Sequence, residues 1–201
     1  MNDYKLRIKT GDLLELVSSS SHHNRYEATP YEALEALAEE MDLHDAAGIV
    51  DYGCGKGRVS FYLHHRFGVN VTGIELNPRL YQMALENQAS YLRKFGKRRG
   101  SIQFERGLAE DYEVRNDQSL FYFFNPFSVQ LFSSVVSRIM ASVSQSPRKV
   151  SIILYYPTME YLDFLGDQTP FQLKKELKIP ILSEQNEHER FMIYDYHPIS
   201  D

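Results

Sequence analysis

Residues 48–57, Gly48-Ile49-Val50-Asp51-Tyr52-Gly53-Cys54-Gly55-Lys56-Gly57, decide the fold. A short apolar run containing an acid meets three glycines at alternate positions. Gly53, Gly55 and Gly57 can take positive φ and present bare backbone, so the pattern is a strand turning tightly into a helix. The helix that follows turns its unpaired N–H groups toward the same place, where they can receive a carboxylate or a phosphate. Working outward, a second apolar run closes on Glu75, 18 positions after Gly57. A carboxylate there can accept two charge-assisted hydrogen bonds from ribose hydroxyls. Strand, glycine turn, helix and acid together point to a nucleoside-bearing cofactor.

Glycine spacing narrows the choice. Dinucleotide enzymes usually show G-x-G-x-x-G after the strand, whereas this chain has an acid followed by G-x-G-x-G. Asp51-Tyr52-Gly53-Cys54-Gly55-Lys56-Gly57 resembles motif I of the class I methyltransferases, and Val71-Thr72-Gly73-Ile74-Glu75-Leu76-Asn77 resembles their motif II. The resemblance covers most of the chain and implies S-adenosyl-L-methionine as cofactor. It implies that Asp51, Gly53, Gly55 and Gly57 surround the methionine half, that Glu75 holds the ribose, and that Leu76 packs on adenine. A glycine-rich turn without a ligand is the competing structural reading.

With 201 residues, 43% of them hydrophobic, the chain can bury one substantial core. We divide it into an N-terminal segment, 1–28, that closes over the cofactor, and a single domain, 29–201. A net charge of −5 argues against holding nucleic acid by bulk electrostatics. One local exception is Arg93-Lys94-Phe95-Gly96-Lys97-Arg98-Arg99. Its bland reading is the solvated end of a helix, where cations complement the dipole; contact with RNA or DNA is the alternative. Cys54 is the only cysteine, and the seven histidines are scattered without ligand spacing, so no metal is expected. Neither a signal sequence nor a membrane-spanning run is evident, which leads us to expect a cytoplasmic protein.

Strands and helices alternate through most of the sequence. Thr29-Pro30-Tyr31-Glu32 predicts a capped helix running to about Leu43. Predicted strands cover 49–52, 70–75, 102–105, 120–124 and 150–155, with helices over 58–67, 78–94 and 129–143 between them. After Pro157 two longer strands, 172–179 and 190–197, read as a hairpin. The expectation is an α/β, doubly wound, mostly parallel sheet. The resemblance adds seven strands, an antiparallel C-terminal hairpin and an N-terminal helical segment.

Methyl transfer from a sulfonium is an in-line displacement, so the protein must chiefly align the reactants and exclude water. Phe123-Phe124-Asn125-Pro126-Phe127 ends the fourth strand, where doubly wound folds place their ligands. It resembles the Asn/Asp-Pro-Pro-Tyr/Phe motif of methyltransferases acting on amino or amide nitrogens, less its second proline. There Asn125 and the Pro126 carbonyl would accept hydrogen bonds from the nitrogen, and Phe127 would stack on it. The segment also resembles the Asn- and Phe-containing stretch of seven-strand lysine methyltransferases, which carry Tyr-x-x-Thr-Pro before motif I. Tyr26-Glu27-Ala28-Thr29-Pro30 has that spacing, making Tyr26 a candidate to close the site. The core alternative for these aromatics is simple packing.

At the adenine end, Gly107-Leu108-Ala109 has leucine where relatives often place an acid, leaving the backbone of Ala109 and the carboxylates of Glu110 or Asp111 as candidates. Tyr155, Tyr156 and Tyr161 could line an acceptor pocket or form a core edge. The reading is therefore an S-adenosylmethionine-dependent methyltransferase acting on a nitrogen of a protein side chain, a nucleobase or a small molecule. A non-catalytic cofactor-binding subunit is the alternative, and NAD-dependent oxidoreduction a third.

Overall fold

In the computed structural model, residues 1–11, 27–41, 43, 48–96 and 98–198 are described. The strands are β1 (Ile49–Tyr52), β2 (Val71–Glu75), β3 (Ile102–Arg106), β4 (Leu120–Phe123), β5 (Val150–Tyr155), β6 (Gln172–Lys178) and β7 (Arg190–Tyr196). They form one sheet in the order β3-β2-β1-β4-β5-β7-β6. The first five are parallel, while β7 runs antiparallel between β5 and β6. Every residue of β1, β2, β4 and β5 is buried, as expected of strands covered on both faces. Edge strand β6 is exposed and lysine-rich, which discourages pairing with another chain.

The helices are α1 (Asp3–Leu6), α2 (Tyr31–Glu40), α3 (Arg58–Phe67), α4 (Pro78–Phe95), α5 (Val129–Gln145), α6 (Met159–Gln168) and α7 (Leu182–Gln185). Leu34 and Leu37 of α2 and Val59, Tyr62 and Leu63 of α3 bury against Ile49, Val71, Leu120 and Ile153 on one face of the sheet. On the other, Phe132, Val136 and Ile139 of α5 and Tyr161 and Leu165 of α6 meet Val50, Phe121 and Ile152. Removing a large side chain from either layer would cost about 2–5 kcal/mol. Gly68 ends α3 at φ 67, and its N–H bonds the His64 carbonyl. Asn77 starts α4 by accepting from the N–H groups of Arg79 and Leu80, with Pro78 in the first turn.

One expectation needs correction. The hydroxyl of Thr29 does not cap α2: the helix begins at Tyr31 and ends at Glu40, and Thr29 Oγ1 instead meets the buried Tyr122 hydroxyl at 2.9 Å. A buried phenol requires a polar partner, and that demand outweighs the cap. The predicted antiparallel hairpin is present as β6 and β7, and the short helix α7 occupies its connection. Helix α6 was not anticipated; Thr158, whose Oγ1 accepts from the Tyr161 N–H at 3.4 Å, is its local signal.

Candidate functional site

The glycine turn lies across the C-terminal ends of β1 and β2. The N–H groups of Gly53 and Cys54 both donate to the Ile74 carbonyl, at 2.9 and 3.0 Å, tying the turn to β2. Gly53, Gly55 and Gly57 have φ of 71, 57 and 89°, so all three use the region closed to most residues. Two of them also make room for protein. A Cβ on Gly53 would lie 2.5 Å from the Pro126 Cβ, and one on Gly57 2.7 Å from the Phe104 ring.

Glu75 ends β2 with its carboxylate buried. Oε2 accepts the Gly55 N–H at 2.8 Å and Oε1 the Asn77 N–H at 2.7 Å. Each oxygen keeps further lone-pair capacity. Burial pushes its pKa up, opposed by the N–H groups of Asn77, Gly55 and Leu76. Asp51 in β1 is 2% exposed and accepts the Ser60 hydroxyl at 2.6 Å. Desolvation raises its pKa to about 7, helped by the charge of Glu75 and opposed by Ser60. Two carboxylates thus flank the glycine turn, both poorly solvated. Cys54 is buried, and burial together with those carboxylates raises its thiol pKa, so it is unsuited to nucleophilic work.

Beyond Glu75 lies a groove of about 1280 Å³, lined by Leu76, Pro78, Gly107 and Leu108 at one end and by Arg115 and Ser142 at the other. Leu76 and Leu108 are 39% and 38% exposed, an apolar pair left open at the mouth of this groove. Ala109 opens a 3-10 turn, Ala109–Asp111, that packs on α5. One oxygen of Glu110, Oε2, is buried without a hydrogen-bond partner among the described residues, as is Oγ of Ser128 at the start of α5.

The loop after β4 crosses the glycine turn through the Gly53–Pro126 contact. Asn125 is half-buried at φ 39°, the left-handed region. Phe127 departs from expectation: its ring is 3% exposed, packed edge-on against Phe123 with centroids 6.2 Å apart. The chain turns it into the core between β4 and α5, so it backs the site from within and offers no open face to a substrate. Tyr161 is likewise a core residue, stacked on Phe132 at 3.8 Å and donating to the Phe127 carbonyl at 2.5 Å. Phe124 and Tyr156 remain half-buried at the ends of β4 and β5, with ring centroids 6.3 Å apart. Tyr156 takes φ 51° and accepts from the Asn186 side-chain amide at 2.8 Å. Tyr155 is buried and donates to Glu189. Sequence reasoning missed Asn186 and Glu189, because only the fold brings the β6–β7 connection to this end of β5.

The N-terminal residues are fastened to the first turn of α3. Arg58 donates from Nε to Thr10 Oγ1 at 2.7 Å and from a terminal nitrogen to the Thr29 carbonyl at 3.1 Å. Asp3 receives the Thr10 hydroxyl and the Tyr31 hydroxyl at 2.7 and 2.6 Å, which helps hold its pKa low against desolvation. Tyr26 lies outside the described residues. Among those described, no helix is long and apolar enough to cross a membrane.

Residues 49–146 match a family described as a methyltransferase domain. A putative RNA methyltransferase from Pyrococcus horikoshii superposes with a TM-score of 0.59 at 14% identity, covering 99% of this chain and 100% of that one. An RNA methyltransferase from Salinibacter ruber, in complex with S-adenosyl-L-homocysteine, gives a TM-score of 0.56 at 14% identity, covering 87% and 97% of the two chains. At that identity the likeness is one of fold. Phosphoethanolamine N-methyltransferase 1 of Arabidopsis thaliana is 36% identical over 55 residues, 27% of this chain and only 11% of that protein.

Proposed function

We propose that this chain, whose residues 49–146 match a methyltransferase domain, is a class I S-adenosylmethionine-dependent methyltransferase that transfers the cofactor's methyl group to a nitrogen held at the ends of β4 and β5. The observation that carries this reading is the crossing of two loops at Gly53 and Pro126, which sets a cofactor turn directly against a polar, aromatic-walled end of the sheet. The residues present fit S-adenosylmethionine: a buried carboxylate with spare acceptor capacity at Glu75, an open apolar pair at Leu76 and Leu108, and an unpartnered Glu110 oxygen beside Ala109. Glu75 would bind the ribose hydroxyls. Leu76 and the Ala109 backbone would hold adenine, and Asp51, Gly53, Gly55 and Gly57 would surround the methionine part. When bound, the cofactor supplies an electrophilic methyl group on a cationic sulfur.

The chain's own task is alignment and protection from water. Asn125 has a side-chain carbonyl able to accept a hydrogen bond from the acceptor's N–H, and the Pro126 carbonyl can take a second. Phe124 and Tyr156 would flank the nitrogen; an amine placed between half-buried rings loses solvation as an ammonium, so its pKa falls and the reactive neutral form is favoured. Phe127 supports Asn125 and Pro126 from beneath. The N-methyltransferase name of the Arabidopsis relative also favours nitrogen, over a short stretch. Residues 1–28 would cover the cofactor, with Tyr26 as a closing residue.

Calorimetric titration with S-adenosylmethionine and S-adenosylhomocysteine tests the cofactor reading. Micromolar binding weakened at least about 100-fold in Glu75→Gln, at unchanged secondary structure, supports it, since two charge-assisted bonds are worth about 1.5–3 kcal/mol each. Absence of binding by the folded wild-type protein would overturn it.

A further inference from the structure

Opposite the methyl-transfer end, the charge of the molecule changes sign. Arg66 at the end of α3, Arg93 and Lys94 at the end of α4, and Arg98 and Arg99 just beyond are all exposed. The fold adds the N-terminal residues to this group, a juxtaposition the sequence did not reveal. Lys94 Nζ donates to the Lys5 carbonyl at 3.1 Å, and Arg98 donates to the His65 carbonyl at 3.4 Å. From there Lys5, Arg7 and Lys9 face solvent while the alternating Leu6, Ile8 and Thr10 are buried. The row climbs to Thr10, which Arg58 holds beside the glycine turn. Its length is about that of α3, roughly 15 Å for a 10-residue helix.

No carboxylate neutralises these cations: among the described residues none of them forms an ion pair. The acids on the same elements are Asp3, spent on Thr10, Tyr31 and Arg58, and Glu86, two turns before Arg93 on α4. The field is felt locally, for Arg98 and Lys94 add to the desolvation that lowers the pKa of His65. In a chain of net charge −5, such a concentration is not an average property. One exposed ring accompanies it: Tyr4, 76% exposed, lies under the Arg7 guanidinium at 5.3 Å.

We propose that this face is a docking track for single-stranded nucleic acid, running from the α3 and α4 C-termini along Lys5, Arg7 and Lys9 toward the glycine turn. The arginines offer forked donors to phosphates, and Tyr4 offers a ring on which a base can stack. A membrane surface fits less well, because among the described residues Leu92 is the only large aliphatic side chain exposed on this face and could insert little area. The inference rests on charge and geometry and is independent of which atom is methylated.

The test is fluorescence anisotropy of labelled oligouridylate and oligothymidylate, each about 16 nucleotides, against the intact protein over a series of salt concentrations. Micromolar binding at low salt is expected, with a log–log salt slope of about −3 to −4 if some five phosphates are neutralised. The double variant Arg93→Glu/Arg99→Glu and, separately, Arg7→Glu/Lys9→Glu should each weaken binding at least about tenfold. Arg138→Glu on α5 should not, and both it and the Arg93→Glu/Arg99→Glu protein should keep wild-type binding of S-adenosylmethionine. Overturning results are no binding at low salt, equal binding by the charge-reversed proteins, or binding to phosphatidylserine vesicles in place of the oligonucleotides. Because cofactor binding is read on the same proteins, failure of the track and failure of the methyltransferase reading give different results.

Discussion

The loop after β1 and the loops after β4 and β5 end neighbouring parallel strands, yet they meet the same geometric demand in different ways. After β1, positive φ falls on Gly53, Gly55 and Gly57, where it costs little. After β4 and β5 it falls on Asn125 and Tyr156, at 39 and 51°, where a side chain is strained by about 1–2 kcal/mol. The β1 side carries its cost elsewhere, in the buried carboxylates of Asp51 and Glu75. One half stores unfavourable charge, the other unfavourable backbone. The difference follows from the chemistry each proposed role needs: backbone and carboxylates around a nucleoside, side chains around a reacting nitrogen.

The charge side of the comparison gives the largest expected effect. Asp51 has a folded pKa of about 7 against an ordinary 3.8, so the folded state holds this proton more tightly than the unfolded one. Its contribution is therefore most favourable below about pH 4, declines as pH rises toward 7, and levels off above it. In the cofactor-free protein, Asp51→Asn should flatten that decline and add about 3 kcal/mol at pH 8 by denaturant unfolding. An unchanged pH profile would break the contrast.

Next comes the backbone side. Asn125→Gly should relieve strain and raise stability by up to about 1 kcal/mol, while lowering kcat at least about 100-fold and leaving cofactor affinity within about twofold. Retained kcat would mean that the Asn125 side chain has no part in the reaction. Gly53→Ala imposes both penalties at once, a Cβ in the left-handed region and a contact 2.5 Å from Pro126. A loss of about 2 kcal/mol, seen as a melting temperature lower by about 4–8 °C, is expected with weakened cofactor binding. The smallest effect belongs to Tyr161→Phe, which removes the bond to the Phe127 carbonyl. About 1 kcal/mol of stability should go, with kcat within a fewfold of wild type.

The sheet from β1 to β5 was legible because glycines and apolar runs mark it locally; β1, α3 and β5 match the predicted bounds residue for residue. Helix α6 was harder, since acids interrupt its apolar residues and it follows the strand too closely for a separate start signal to stand out. Side-chain direction was the weaker layer. Nothing near Thr29 in the sequence says that its hydroxyl will meet Tyr122, and nothing near Phe127 says that its ring will turn inward, because each outcome depends on what distant strands leave exposed. The run from Arg93 to Arg99 was visible as a patch, but its continuation through Lys5 required the Lys94 contact.

The contact between Gly53 and Pro126 also bears on how such a protein can diverge. Two positions far apart in the chain share one volume: a residue with a Cβ at 53 needs something smaller or displaced at 126. Substitutions in the glycine turn and in the loop after β4 are therefore not independent. Across descendants of this sequence the two sites should change together or not at all, and a lineage that remodels the β4 loop will carry the mark of it in the glycine turn.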